Sequence, residues 1–118
     1  MLKGKFEDLD FGKRGNVIPT AVQDARTGEI LMFAYSNEES LRKAIELKEG
    51  VYWSTSRNEI WRKGATSGNR QKLVEILYDC DGDALVFRVE PMGPACHTGE
   101  RTCFYRTLVS FADNKRGE

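Results

Sequence analysis

Net charge is missing from this sequence. Lysine plus arginine and aspartate plus glutamate number 18 each, so no global field draws the chain towards nucleic acid or an anionic membrane. Long apolar runs are missing as well. None approaches the length of a membrane span, and the N-terminus has no apolar signal-peptide core. A cytoplasmic protein without nucleic-acid or membrane partners is therefore expected. Cysteine is scarce. Cys80, Cys96 and Cys103 are too few, and odd in number, for a disulfide framework. In a reducing compartment such thiols are buried small hydrophobes, reactive groups or metal ligands. No C-x-x-C pair occurs, which argues against a structural zinc finger. Repeats and low-complexity segments are lacking too, and 118 residues suit a single domain over 1–118. Imidazole is limited to His97.

The segments that are present alternate between strand and turn chemistry. Phe6, Leu9 and Phe11 are candidate anchors in a polar N-terminal stretch. Val17 to Asp24 and Glu29 to Tyr35 read as strands, with Ala25-Arg26-Thr27-Gly28 between them as a hairpin turn. Ser36-Asn37-Glu38-Glu39 reads as a capping box with Ser36 as N-cap. It opens a helix to about Glu49, with Leu41, Ala44, Ile45 and Lys48 on one face and Gly50 placed to end it. Val51 to Ser56 is a short strand, and residues 57–72 are a polar, basic loop. Leu73 to Tyr78 and Ala84 to Glu90 flank the hairpin signal Asp81-Gly82. A loop over Pro91 to Thr102 leads to a last strand, Phe104 to Phe111, and a charged tail from Asp113 that should fray. The expected fold is α+β: a mainly antiparallel, barrel-like sheet with one main helix.

Asp79-Cys80-Asp81-Gly82-Asp83 concentrates the chemistry. Carboxylates suit Mg²⁺ or Ca²⁺ whereas thiolates suit Zn²⁺, so one short turn offers ligands for two kinds of metal. Side chains alternate along a strand, which sends Asp79 and Asp81 one way and Cys80 the other. The turn then bends Asp83 back towards the other two. Aspartate and glycine are ordinary turn residues, which accounts for Asp81-Gly82 but not for three carboxylates around a cysteine. The later ligands of a calcium-binding EF-hand loop are absent. Cys80, Cys96 and Cys103, without an obvious fourth ligand, match a catalytic zinc with one position open to water. Three thiolates leave such a centre anionic and its water harder to ionise, so a nearby base or second cation would help. His97 is either a fourth ligand or, as preferred here, a proton-transfer group titrating near neutrality. Arg57, Arg62, Lys63 and Arg70, interleaved with Gly64, Thr66, Ser67, Gly68 and Asn69, form a candidate phosphate cradle. Trp53 and Trp61 are candidates for base stacking or core packing.

With VQDARTGEILMFAYSNEESL, YWSTSRNEIWRKGATSGN, DCDGD and GPACHTGERTCFYR, which span most of residues 17–106, the chain resembles the phosphoribosyl-AMP cyclohydrolase family of histidine biosynthesis. The resemblance implies hydrolysis of the N1–C6 bond of the adenine ring in 1-(5-phosphoribosyl)-AMP, water activated on zinc attacking C6. It implies Zn²⁺ and Mg²⁺ as cofactors and an intertwined homodimer. Asp79, Asp81 and Asp83 would then hold Mg²⁺. Cys80 of one chain would hold Zn²⁺ together with Cys96 and Cys103 of the other. His97 would shuttle protons, and Arg57, Arg62, Lys63, Thr66, Ser67, Gly68 and Asn69 would bind substrate phosphate. Some relatives carry a C-terminal pyrophosphohydrolase domain, for which this chain leaves no length, so that activity is not expected. A zinc-dependent base deaminase is the first alternative, but it needs Pro-Cys-x-x-Cys where this chain has only Pro94-Ala95-Cys96. The second is a zinc-stabilised nucleotide-binding module without turnover.

Overall fold

The computed structural model describes residues 3–112; the tail from Asp113, expected to fray, lies outside the described residues. A 3₁₀ turn, Phe6–Asp8, is followed by strands β1 (Ile18–Asp24) and β2 (Ile30–Ser36), helix α1 (Glu38–Leu47), and strands β3 (Val51–Ser54), β4 (Glu59–Arg62), β5 (Gln71–Tyr78) and β6 (Leu85–Pro91). The six strands form one curled sheet in the order β4-β3-β2-β1-β6-β5. Neighbours are antiparallel except β1 and β6, which run parallel from Thr20 opposite Leu85 to Asp24 opposite Val89. The sheet is thus mixed rather than purely antiparallel. The first four strands run in sequence outward from β1, and the β5–β6 hairpin docks on β1's other side with β6 inward.

Alternation decides which side chains are buried. In β1, Ile18, Thr20, Val22 and Asp24 are buried while the intervening residues are half-buried. A register shift beside Val22 and Gln23 lets β2 bury both Leu31 and Met32. Leu85, Phe87 and Val89 of β6 continue the core, and α1 closes it with Leu41 and Ala44. Phe6, Leu9 and Phe11 pack against the same cluster, so the polar N-terminal stretch is anchored by its three apolar residues. The opposite face of β2 is bare. Phe33 and Tyr35 lie exposed there, ring edge against ring face with centroids 5.8 Å apart.

Several local expectations change. Asn37, not Ser36, is the N-cap of α1: its side chain accepts from Ser40 N, and Ser40 Oγ accepts from Asn37 N. Ser36 is the buried last residue of β2, bonded to Thr20 Oγ1 at 2.8 Å. On the helix, Ile45 is 49% exposed and Lys48 takes the left-handed C-cap position at φ 57°. Gly50 does not end the helix; a side chain there would collide with Gln71 Oε1 and the Tyr52 hydroxyl. The stretch 57–72 is not all loop. Residues 59–62 pair with β3 as an edge strand, Val51 opposite Arg62 through Ser54 opposite Glu59. Phe104 to Phe111 is not a strand: no sheet partner accepts it, and Leu108 and Phe111 are 100% and 93% exposed. β-propensity alone cannot make a strand without a neighbouring edge.

One buried polar pair ties β3 to β5. The Tyr52 hydroxyl donates to Gln71 Oε1 at 2.6 Å, and Gln71 Nε2 meets Met32 Sδ at 3.3 Å. Tyr52 is fully buried and contacts Trp61 and Phe87, each at 5.3 Å between ring centroids. Trp61 is thereby half-buried, packed against the core on one side and lining the cleft beside residues 62–67 on the other. Tyr52→Phe keeps the ring but strands the Gln71 carbonyl in an apolar setting. The expected loss is about 1–3 kcal/mol, read as a lower urea midpoint with an unchanged m-value.

Candidate metal centre

The turn between β5 and β6 is wound tightly around Asp79. Asp79 Oδ1 accepts from the backbone N–H groups of Asp83 and Ala84 at 3.0 and 3.2 Å. Gly82 sits at φ 71°, and a Cβ there would collide with the backbone oxygen of Asp8, so the turn needs glycine on two counts. Asp79, Asp81 and Asp83 each offer a carboxylate oxygen within 4.8 Å of the others, the one such group among the described residues. Asp83 is buried; Asp79, Asp81 and Cys80 are exposed. The N-terminal arm supplies the counter-charge. Lys13 Nζ lies 3.2 Å from Asp81 Oδ2 and 2.8 Å from Asp83 Oδ2, and Arg14 Nη1 lies 2.8 Å from Asp83 Oδ2. Those two cations hold the Asp83 carboxyl well below the usual carboxylate range. Neither basic residue carried a sequence signal beyond its charge.

The thiols divide. Cys96 is buried, Cys103 is exposed, and the two interact across the loop after β6. Thr98 Oγ1 donates to Cys96 Sγ at 3.0 Å, which pulls the Cys96 thiol down, whereas partial burial of its sulfur pushes the Cys103 thiol up. Cys80 joins neither; it lines a separate recess with Tyr78, Asp8 and Lys3. β6 explains the division. Its seven residues hold the aspartate turn at one end and the Cys96–Cys103 loop at the other, about 20 Å apart at ~3.3 Å per residue. The loop itself is anchored. Arg101 pairs with Asp24 at 2.9 Å and Glu29 at 2.6 Å, and Cys103 N donates to Leu31 O at 2.7 Å.

Cys96 and Cys103 open into a cleft of about 840 Å³ with His97 at its rim. Arg57, Arg62, Lys63, Thr66, Ser67 and Asn69 line the same cleft, whereas Gly68 and Arg70 do not. Arg62 is already engaged: its guanidinium meets both oxygens of Glu49, at 3.1 and 2.7 Å. It braces the loop against the end of α1 before it can serve a ligand. Lys63 donates to Asn69 O at 3.3 Å and feels Cys103 and Cys96; partial burial lowers its ammonium pKa. Gly64 holds φ 79°, and a Cβ there would collide with the backbone of Asn69 and Arg70, so the bend needs glycine. A group with oxygen and nitrogen acceptors can thus lie between cations and hydroxyls on one wall and two thiols with an imidazole on the other.

The Thr98 hydrogen bond has a measurable consequence. In metal-free protein, Thr98→Val should move the Cys96 thiolate transition to higher pH, followed by thiolate absorbance in the ultraviolet. An unmoved transition would show that the hydroxyl does not set this thiol.

Comparison with known proteins covers most of the chain. Residues 32–105 match the family model described as phosphoribosyl-AMP cyclohydrolase. A phosphoribosyl-AMP cyclohydrolase from Clostridium botulinum (strain 657 / Type Ba4) is 55% identical over 104 residues, 88% of this chain and 94% of the relative. One from Nitrosopumilus maritimus is 54% identical over 103 residues, 87% of this chain and 95% of the relative. The histidine biosynthesis bifunctional protein HisIE of Thermus thermophilus is 56% identical over 99 residues, which cover 84% of this chain and 46% of that protein. A family model over residues 32–105, with relatives of this identity over most of the chain, places the chain in the phosphoribosyl-AMP cyclohydrolase family.

Proposed function

We propose that this protein hydrolyses the N1–C6 bond of the adenine ring in 1-(5-phosphoribosyl)-AMP, a ring-opening step of histidine biosynthesis, and that it works as a homodimer. One observation carries the reading. In a chain of this family, a single cleft joins Cys96, Cys103 and His97 to a basic, hydroxyl-rich wall. The substrate has matching halves, an electrophilic purine and two phosphates.

The thiol set fits zinc. Two soft ligands are adjacent, one already depressed in pKa by Thr98, and a third cysteine lies on an exposed turn. β6 keeps that third thiol from closing the set within its own chain, so Cys80 is assigned to the centre of a second copy. The bare apolar residues support such a partner. Phe33 and Tyr35 on β2, and Phe104, Leu108, Val109 and Phe111 after the cysteine loop, are exposed, more than a lone soluble domain ordinarily leaves uncovered. Zinc, when bound, supplies Lewis-acid activation of water for attack at C6. The carboxylate set fits Mg²⁺: three hard oxygens converge, and the Lys13 ammonium already stands as a cation between two of them.

The remaining work falls to the chain's own groups. Arg57, Thr66 and Ser67 bind phosphate oxygens and fix the purine over the thiols. Lys63, held close to Cys96 and Cys103, offsets their negative charge. His97 takes a proton from the attacking water and returns one to N1 as the C6–N1 bond breaks. C6 keeps its exocyclic nitrogen and becomes a carboxamide. N1 keeps its ribosyl group.

Loss of the N1-substituted adenine absorbance tests the reaction directly. Wild-type protein should turn the substrate over, and Cys80→Ser and Cys96→Ser should each abolish turnover. Mixed in equal amounts, those two inactive variants should regain part of the activity, because a mixed dimer contains one intact three-cysteine set. No recovery despite proven subunit exchange would sink the shared centre.

His97→Ala should lower kcat by roughly 10²–10⁴-fold while zinc content stays at the wild-type level. Retained activity would remove His97 from proton transfer.

A further inference from the structure

The point at which the three carboxylates converge is held by a side chain from the N-terminal arm. Lys13 Nζ bridges Asp81 Oδ2 at 3.2 Å and Asp83 Oδ2 at 2.8 Å, and Arg14 Nη1 meets the same Asp83 oxygen at 2.8 Å. We propose that Lys13 is an internal cation in competition with the divalent ion, so that the metal enters the triad only as the Lys13 ammonium leaves. The proposal rests on the reading of Asp79, Asp81 and Asp83 as the Mg²⁺ site.

Three features support competition rather than coexistence. The first is geometric. Asp79 Oδ1 is committed to the backbone N–H groups of Asp83 and Ala84. The ammonium bridges the other two carboxylates, on the side where they face each other. The second is charge. Three carboxylates carry one more charge than Lys13 and Arg14 together neutralise. A dication added beside both would reverse the sign of the site, whereas a dication with Arg14 alone balances the three carboxylates. Like charges this close repel strongly where solvent is limited, and the Asp83 side chain is only 10% exposed.

The third feature is the ease with which Lys13 can leave. Its side chain is 43% exposed, and exposed ion pairs hold weakly. The arm does not depend on it. Asp10 N donates to Gly82 O at 2.8 Å, Tyr78 donates to Asp8, and Phe6, Leu9 and Phe11 pack on the core. Lys13 can therefore swing into solvent while the arm backbone stays in place. Binding and displacement are reciprocal: whatever the ammonium contributes to the empty triad is subtracted from the affinity of the ion that replaces it. Lys13 sets how much free divalent ion is needed before the site fills.

The test uses zinc-loaded protein and Mn²⁺, which prefers carboxylate over thiolate ligands, with free Mn²⁺ read by its electron paramagnetic resonance signal. Wild-type protein should show one site that Asp81→Asn removes. Lys13→Met and Lys13→Gln, both neutral, should tighten that site by roughly tenfold, within the usual range of coupling between two ligands. Lys13→Arg, which keeps the charge, should stay close to wild type. Unchanged or weaker Mn²⁺ binding in both neutral variants, with wild-type circular dichroism, would overturn the competition and leave the metal site standing. Binding that ignores Asp81→Asn would overturn the Mg²⁺ reading of the triad, and the proposal with it.

Discussion

The strand β6 is the constraint on which the rest of this structure depends. It is buried in the interior of the sheet, parallel to β1 and antiparallel to β5, with Leu85, Phe87 and Val89 in the core. Both of its neighbours fix its register, so it can neither shorten nor bend to bring its ends together. The aspartate turn leaves one end and the cysteine loop the other. Which donor atoms meet and which stay apart follows from that separation. The carboxylates of one turn meet each other, the thiols of one loop meet each other, and Cys80 is left facing away from both. A chain arranged in this way keeps Cys80 apart from Cys96 and Cys103, at the two ends of a rigid strut.

Around that strut, the N-terminal arm and the β1–β2 turn act as braces. The arm packs its backbone against Gly82 and places two cations on the carboxylates. Arg101 ties the cysteine loop to Asp24 and Glu29. Glu49 and Arg62 do the same for the basic loop at the end of α1. In each case ion pairs tie together segments that are far apart in the chain. The cleft wall is therefore held in place before any ligand arrives, which lowers the ordering cost of binding.

Much of this was legible in the residues. Strand-favouring runs flanked by turn residues located β1, β2, β5 and β6 within one or two residues. Asp81-Gly82 marked the turn because glycine is needed where φ is positive. Strand alternation also anticipated that Asp79, Asp81 and Asp83 would converge with Cys80 pointing elsewhere, since that inference uses only the period of a strand. Failures came where a local signal had competing partners. Ser36 is as good an N-cap as Asn37 by type, but Thr20 across the sheet claims its hydroxyl. The edge strand β4 was hidden because an edge has one solvated side and carries charge freely. Phe104 to Phe111 has strand composition without a strand beside it.

The sequence by itself determined the donor atoms and the turn that presents them: which are hard, which are soft, and that a glycine must sit between them. These are properties of side chains and of a few neighbouring dihedral angles. Only the tertiary structure decided which of those atoms meet. The parallel pairing of β1 with β6, the placing of Lys13 and Arg14 on Asp83, the capture of Arg62 by Glu49 and the distance of Cys80 from Cys96 all depend on contacts between residues far apart in the chain. Such contacts are set by how the sheet closes over its core, and no local pattern encodes them.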